Sequence, residues 1–432
     1  MHINYSFNYS VWILLIGVFT SGHVLVVDSL GLRLPLQVMM IGMLLAYIFQ
    51  SIGKKINKSG LIVVYVAMSC LVGDLIMRQD VNDIMGYLLL VAFSFTLLVM
   101  KPQAILEFIS KLNHLNWFFA TCSIIAIILS INSVTQFNAL FEKAPYYSTS
   151  FLSGVSWQSL LSHADTEQTL FGIMVPRISA HLQQASLIPA YFMLPLAISL
   201  AFAPQNKMFI TVTILLFCIL STGGTVYVAL ASGILIYLIG SYIPRVMFLI
   251  MPFILLAISS SLLLYFFIDA YDVDALKGMS RSVGEAWEAS STDQSPISQR
   301  LGSGLVRLAL MGFQTAGFIE SFPLPANTAL VKMTIGGNLL TNGLRGGLVG
   351  LVFTGIMYYS IFYAVSGCLK KCHRDEKSQR LGFSMIYALV FQSFIYNDFG
   401  FSTYYGYMMF IVILVLANAH LSGLTYHRER RI

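Results

Sequence analysis

Apolar residues run along this chain in long blocks parted by short polar breaks, and two longer polar stretches interrupt the series. The blocks fall at 10–26, 35–53, 60–77, 84–100, 116–133, 186–203, 207–221, 224–242, 246–267, 346–368, 382–397 and 402–419. At about 1.5 Å per residue, most are long enough to cross the roughly 30 Å apolar layer of a bilayer as helices. The pattern therefore predicts an all-α polytopic integral membrane protein with about twelve transmembrane helices, two of them short. The polar stretches divide the chain into an N-terminal five-helix segment at 1–133, a first large external loop at 134–185, a central four-helix segment at 186–267, a second large external loop at 268–345, and a C-terminal three-helix segment with its tail at 346–432.

Basic residues orient this series, because Lys and Arg accumulate in the short loops on the cytoplasmic side. Counting the helices through puts Lys54, Lys55, Lys58, Lys101, Lys111, Lys207, Arg245, the run from Lys370 to Arg380 and the tail Arg428, Arg430 and Arg431 on one side. The short loops opposite hold only Arg33 and Arg78. Both termini are thus expected in the cytoplasm, and both large loops outside. The N-terminus has no basic region or small-residue cleavage site, so its apolar run reads as the first span rather than a removed signal.

Composition excludes several classes. With 57% hydrophobic and 10% charged residues the chain does not suit a soluble globular fold, in which about a quarter of residues are charged. The net charge of +6 is spread over membrane-flanking loops rather than one face, so no nucleic-acid partner is expected. None of the five cysteines lies in the large loops, so no exported disulfide framework is implied. The one obvious carboxylate inside a span is Asp74, near an outer end, which argues against a proton-driven carrier.

Candidate chemistry sits in the outward loops and their borders. Ser295-Pro296 is a helix start, and Leu301, Leu305, Leu308 and Gly312 make an apolar stripe with Arg300, Ser303, Arg307 and Gln314 opposite. Arg300 and Arg307 would emerge on one side, about 10 Å apart, and suit either an anionic lipid head group or simple anchoring to phospholipid phosphates. Arg177, His181 and Gln184 gather where the first loop re-enters the membrane, as a head-group site requires. Tyr146, Tyr147, Trp157, His163, Asp165 and Glu167 supply the aromatic faces and hydrogen-bonding groups that handle sugars, although aromatics are also ordinary interfacial residues. Asp269, Asp272 and Asp274 lie close enough in sequence to hold a divalent cation, but acidic residues are also what outward loops retain, and the expectation is that no cofactor is needed. At the close of the second loop, glycine spacings around Gly346, Gly347 and Gly350 suit close helix contact, which does not account for Asn338, Asn342 or Arg345. Residues 101–115 place Ile105, Phe108, Ile109 and Leu112 on one face and read as a separate interfacial helix.

In this order and topology, three stretches resemble the O-antigen polymerase and O-antigen ligase superfamily. Arg177-Ile-Ser179-Ala180-His-Leu182-Gln-Gln184-Ala185-Ser186 is similar to the family's Arg-x-Ser/Thr-Gly-x-Phe-x-Glu-Pro-Asn/Ser entry to the helix after the first loop, with Ala180 in place of Gly, Gln184 in place of Glu and Ala185 in place of Pro. Ser221-Thr-Gly-Gly resembles its junction between two short helices. Ser298-Gln-Arg300 leading to Phe322-Pro-Leu resembles its Ser-x-Arg helix and Pro-Leu-x-Gly turn, without the glycine. The His-Asn or His-Ser pair of the ligases is missing ahead of Gly347-Leu-Val-Gly350, where Asn338 and Asn342 stand instead.

The resemblance implies a glycosyltransferase that joins undecaprenyl-diphosphate-linked oligosaccharide repeat units at the outer face of the inner membrane, beside a chain-length regulator. It implies Arg177, Arg300, His181 and Asp165 as catalytic residues, with Arg177, Arg300, Arg307, Arg281 and Arg345 on the lipid diphosphate. Tyr146, Tyr147, Trp157, Gln184, Asn338 and Asn342 would then contact glycan. An arginine cluster keeps its charge at any physiological pH and stands where a metal ion otherwise would. Competing readings are an O-antigen ligase, a lipid-linked oligosaccharide flippase and a peptidoglycan glycosyltransferase.

Overall fold

The structure, a computed structural model, describes residues 9–19, 33–51, 53, 56–77, 81–132, 162–170, 173–180, 182, 187–203, 208–221, 224–240, 242–267, 318–319, 321–326, 338–372, 376–395 and 404–423. These are predominantly helical, and each apolar block of the sequence becomes a helix. The N-terminal group is α1 (Tyr9–Phe19), α2 (Arg33–Gln50), α3 (Leu61–Met77), α4 (Val81–Val99) and α5 (Pro102–Asn132). A π-helical segment at Pro189–Met193 leads into α6 (Leu194–Phe202), followed by α7 (Met208–Leu220), α8 (Gly224–Ile239) and α9 (Arg245–Phe267). The chain closes with α10 (Asn338–Lys371), α11 (Lys377–Ile395) and α12 (Tyr404–Leu421).

α11 and α12 are the centre of the packing. α12 is apolar all round, and Met408, Phe410, Ile413 and Val415 are fully buried, as expected of a helix surrounded by others. It touches α4, α5, α6 and α10, while α11 packs on α6, α8, α9 and α10. Helices of the three sequence segments are therefore interleaved rather than set side by side.

α5 differs from its expected form. Instead of an interfacial helix followed by a span, residues 102–132 make one 31-residue helix, about 46 Å long. The stripe Ile105, Phe108, Ile109 and Leu112 is buried, but within the bundle. Two polar residues near the expected boundary are turned inward. Asn116 Nδ2 donates to Tyr191 O at 2.7 Å, and Asn113 Nδ2 to Pro195 O at 3.1 Å. Pro195 has no N–H to give to the turn before it, and Tyr191 O is the carbonyl an α-helical residue 195 would bond. Asn116 supplies that bond from the neighbouring helix.

α10 is not one straight rod. Gly347 has φ 60° and ψ −149°, outside the helical region, and the contacts across it show that the chain doubles back. Asn342 Nδ2 donates to Thr354 Oγ1 at 3.1 Å. Leu339 reaches the position of Gly355, Leu351 that of Gly343, and Asn342 O that of Gly350. In a continuous helix residues 342 and 354 would be about 18 Å apart. α10 is therefore an antiparallel helical hairpin, with a short arm at 338–346 and a long arm at 348–371. Glycine fits the tip because an L side chain is strained at that φ.

The basic residues read as cytoplasmic come together at the far end of the long arm. Arg245 donates to Tyr363 O at 3.0 Å, and its guanidinium lies 4.1 Å from the Tyr363 ring centre. Lys370 donates to Gly240 O at 2.8 Å, Arg380 to Tyr237 O at 2.8 Å and Lys371 to Leu421 O at 2.7 Å. These last three acceptors are terminal carbonyls of α8 and α12, where the helix dipole favours a cation.

Among the described residues one helix, Leu339–Lys371, is by itself long and apolar enough to cross a membrane. Its long arm alone covers roughly 36 Å. Large apolar side chains also face outward on many other helices, among them Phe49, Ile76, Phe209, Val228, Val246 and Val349.

Candidate functional site

The tip of the α10 hairpin lies roughly 36 Å from the basic end. Around it the segment 318–326 is docked. Leu348 N–H donates to Pro323 O at 2.9 Å, Ala326 N–H donates to Leu344 O at 2.8 Å, and the Phe318 ring lies against Gly343. The Phe322–Pro323 peptide is cis. On the other side α3 comes so near that a Cβ on Gly73 would collide with Arg345 O, and Gly346 rests on Ser69 O. Arg345 is thus held by its backbone between α3 and the hairpin, two residues before the tip. Its side chain is half-buried.

The resemblance implied a glycan contact for Asn342, and the structure shows how its side chain is held. It is 2% exposed, accepts from Tyr407 Oη at 2.8 Å and Cys70 Sγ at 3.6 Å, and gives its amide to Thr354. A buried amide with these three partners clamps the short arm to the long one and to α3 and α12. Nothing in the sequence marked Tyr407, Cys70 or Thr354 as its partners, since each lies inside an apolar block. Asn338 opens the short arm.

The stretch 134–185 contains a feature the apolar pattern did not predict, an antiparallel hairpin of β1 (Ser162–Leu170) and β2 (Ile173–Ala180). Its clue was the two-residue connection Phe171-Gly172, since a dipeptide ending in Gly suits a tight hairpin turn. Ala164 pairs with Arg177 and Glu167 with Pro176, so Asp165 and Thr166 form a bulge beside Arg177. Two of the four residues implied as catalytic, Asp165 and Arg177, are therefore on neighbouring strands at one level. β2 runs next to α5, whose length carries it past the shorter helices. At the end of β2, Ala180 has φ 55° and is fully buried.

The remaining candidates, Arg281, Arg300, Arg307, His181, Gln184, Tyr146, Tyr147 and Trp157, lie outside the described residues, as do Asp269, Asp272 and Asp274. Among the described residues no group of three His, Cys, Asp or Glu is placed to hold a metal ion.

No protein-family model matches the chain, and no curated protein or solved structure is significantly similar to it. The geometry offers a guanidinium two residues from a helical tip, a bulged strand pair carrying Arg177 and Asp165, and a basic collar at the end opposite that tip.

Proposed function

We propose that this is a multi-pass protein of a bacterial cytoplasmic membrane that polymerises undecaprenyl-diphosphate-linked repeat units at the outer face. The product would be O-antigen, capsular or exopolysaccharide. The observation that carries the reading is the fold-back of α10 at Gly347, which sets Arg345 at the end of the molecule opposite Arg245, Lys370 and Arg380. The separation of roughly 36 Å suits two interfaces of one bilayer. The exposed apolar residues on many helices support burial in lipid, since water does not tolerate such surface over so many elements. The left-handed backbone at Ala180 supports the resemblance, because the related pattern has glycine at that place.

In the proposed transfer, the bond between the donor's anomeric carbon and its diphosphate oxygen breaks, and an oxygen of an acceptor sugar hydroxyl bonds to that carbon. The departing lipid diphosphate keeps the electron pair. Arg345 and Arg177 meet this growing charge with fixed donors, and Asp165 takes the acceptor's proton. The acceptor is the next lipid-linked repeat unit, and a chain-length regulator would act beside the enzyme.

The test is the size profile of surface and lipid-linked glycan in a strain lacking the protein, complemented with wild type, Arg345→Ala or Arg177→Ala. Single repeat units in the deletion, a ladder restored by wild type, and roughly a hundredfold less polymer from either variant at normal protein level are expected. Full-length polymer stranded on carrier lipid would instead make it a ligase, and repeat units held on the cytoplasmic side a flippase.

A further inference from the structure

Asn113 on α5 is satisfied on one side only. Its amide nitrogen donates to Pro195 O at 3.1 Å, and because a carbonyl oxygen can only accept, that bond fixes which way the amide is turned. The amide oxygen is then left over, buried and without a hydrogen bond, on a residue 4% exposed. It is one of ten such atoms among the described residues, so the missing bond alone identifies nothing. What lies beside it says more. Asn113 lines a cavity of about 20 Å³ between α5, α6 and α7, whose wall also carries the hydroxyls of Ser110, Ser199 and Thr211 and the apolar side chains of Leu196 and Ile210. Asn113 and Leu196 are buried, whereas Ser110, Ser199, Ile210 and Thr211 are partly exposed, so the cavity is reached from the surface.

The surroundings place this cavity toward the basic end of the molecule. A Cβ on Gly382, two residues after Arg380, would collide with Ala201 N and Ala197 O on the turns of α6 that carry Ser199. One turn further along α5 the Trp117 ring meets that of Phe209 on α7 edge-on, with centroids 5.9 Å apart.

The chemistry and size of an occupant follow from the wall. It must donate a hydrogen bond, since an amide oxygen only accepts. None of the eight lining residues is charged, so an ion would lie there without a counter-charge. A water needs about 10–15 Å³ of such space and about two to four polar partners. The cavity offers both, with no room left for a sugar or a lipid head group. An apolar group of the same size would leave the buried oxygen unpaired, which lowers stability.

We infer that this cavity is the binding site of one ordered water molecule, which donates to Asn113 Oδ1 and bonds the hydroxyls on the walls of α6 and α7. The water ties three helices together and holds the Asn113 amide in the sense that serves Pro195 O. The site is remote from Arg345 and does not rest on the proposed reaction.

Two measurements on the purified full-length protein in detergent test the site. The first is an experimental structure at a resolution that shows ordered water. Expected is a single spherical density about 2.7–3.2 Å from Asn113 Oδ1 and from the hydroxyl of Ser199 or Thr211. Well-ordered side chains with no density between them, an elongated density from detergent or lipid, or a hydroxyl bonded directly to Oδ1 would each overturn the inference. The second is a pair of double-mutant cycles read as thermal midpoints, Asn113→Ala against Ser199→Ala and against Thr211→Val. Asn113 Oδ1 bonds neither hydroxyl directly, so a shared water is what couples them. In at least one cycle the double variant is expected to lose less than the sum of the single losses, by about 1 °C or more. Additive losses in both cycles would refute the bridge.

Discussion

Ala180 carries a side chain where the backbone is left-handed, and its methyl group is fully buried. For an L-residue that conformation costs about 1–2 kcal/mol. Ala180→Gly is therefore expected to leave the thermal midpoint in detergent unchanged or slightly raised, relief of strain offsetting the lost methyl contact. Ala180→Val adds a branched Cβ to the same φ and is expected to cost about 2 kcal/mol or more. At this scale the sequence was legible where a residue type has one use and opaque where it has several. Arg245, Lys370 and Arg380 could be assigned to one end because a cation does not rest in hydrocarbon. Residues 101–115 read as a separate interfacial helix, whereas Asn113 and Asn116 are buried donors to Pro195 and Tyr191 from one continuous helix, a role that depends on a segment some 75 residues away and leaves no local trace.

Among the elements, α10 shows the same division. Its long apolar part was expected from residue 346 and begins at 348, because the apolar run there is dense. The short arm was not legible, since Asn338, Thr341, Asn342 and Gly343 dilute its periodicity, and only the fold-back makes them useful. The close approach of α3 to Arg345 O and of the two arms at Gly350 gives an element-level prediction. Gly73→Leu and Gly350→Leu force backbone apart and are expected to destabilise by about 2–3 kcal/mol or to prevent accumulation. Gly42→Ala, in the interior of α2 with nothing within 4 Å of its added carbon, is expected to stabilise by about 0.5–1 kcal/mol. Thermal midpoints of the three purified variants check the contrast.

Over the whole molecule, the interleaving of α11 and α12 with helices from both other segments means that sidedness is a property of the assembly, and it can be read chemically. A cysteine replacing Thr169 on β1 is expected to react with a membrane-impermeant maleimide in intact spheroplasts, and one replacing Ser422 after α12 only after permeabilisation. The native background is low at the basic end. Burial, reinforced by nearby Glu376, pushes the Cys372 thiol up to about 12, so near neutral pH almost none is the reactive thiolate, and its labelling should rise only as pH climbs toward that value. Labelling of the Thr169 cysteine only after permeabilisation would invert the proposed topology.

The contact between α3 and the α10 hairpin also sets a timetable for synthesis. Cys70 and its partner Asn342 are 272 residues apart, and ribosomes add roughly 5–20 residues per second. α3 therefore leaves the ribosome about 15–50 seconds before the arm that covers Gly73 exists. For that interval its glycine face lacks the backbone that packs on it in the finished molecule, and a chain stalled before residue 338 would keep that face uncovered.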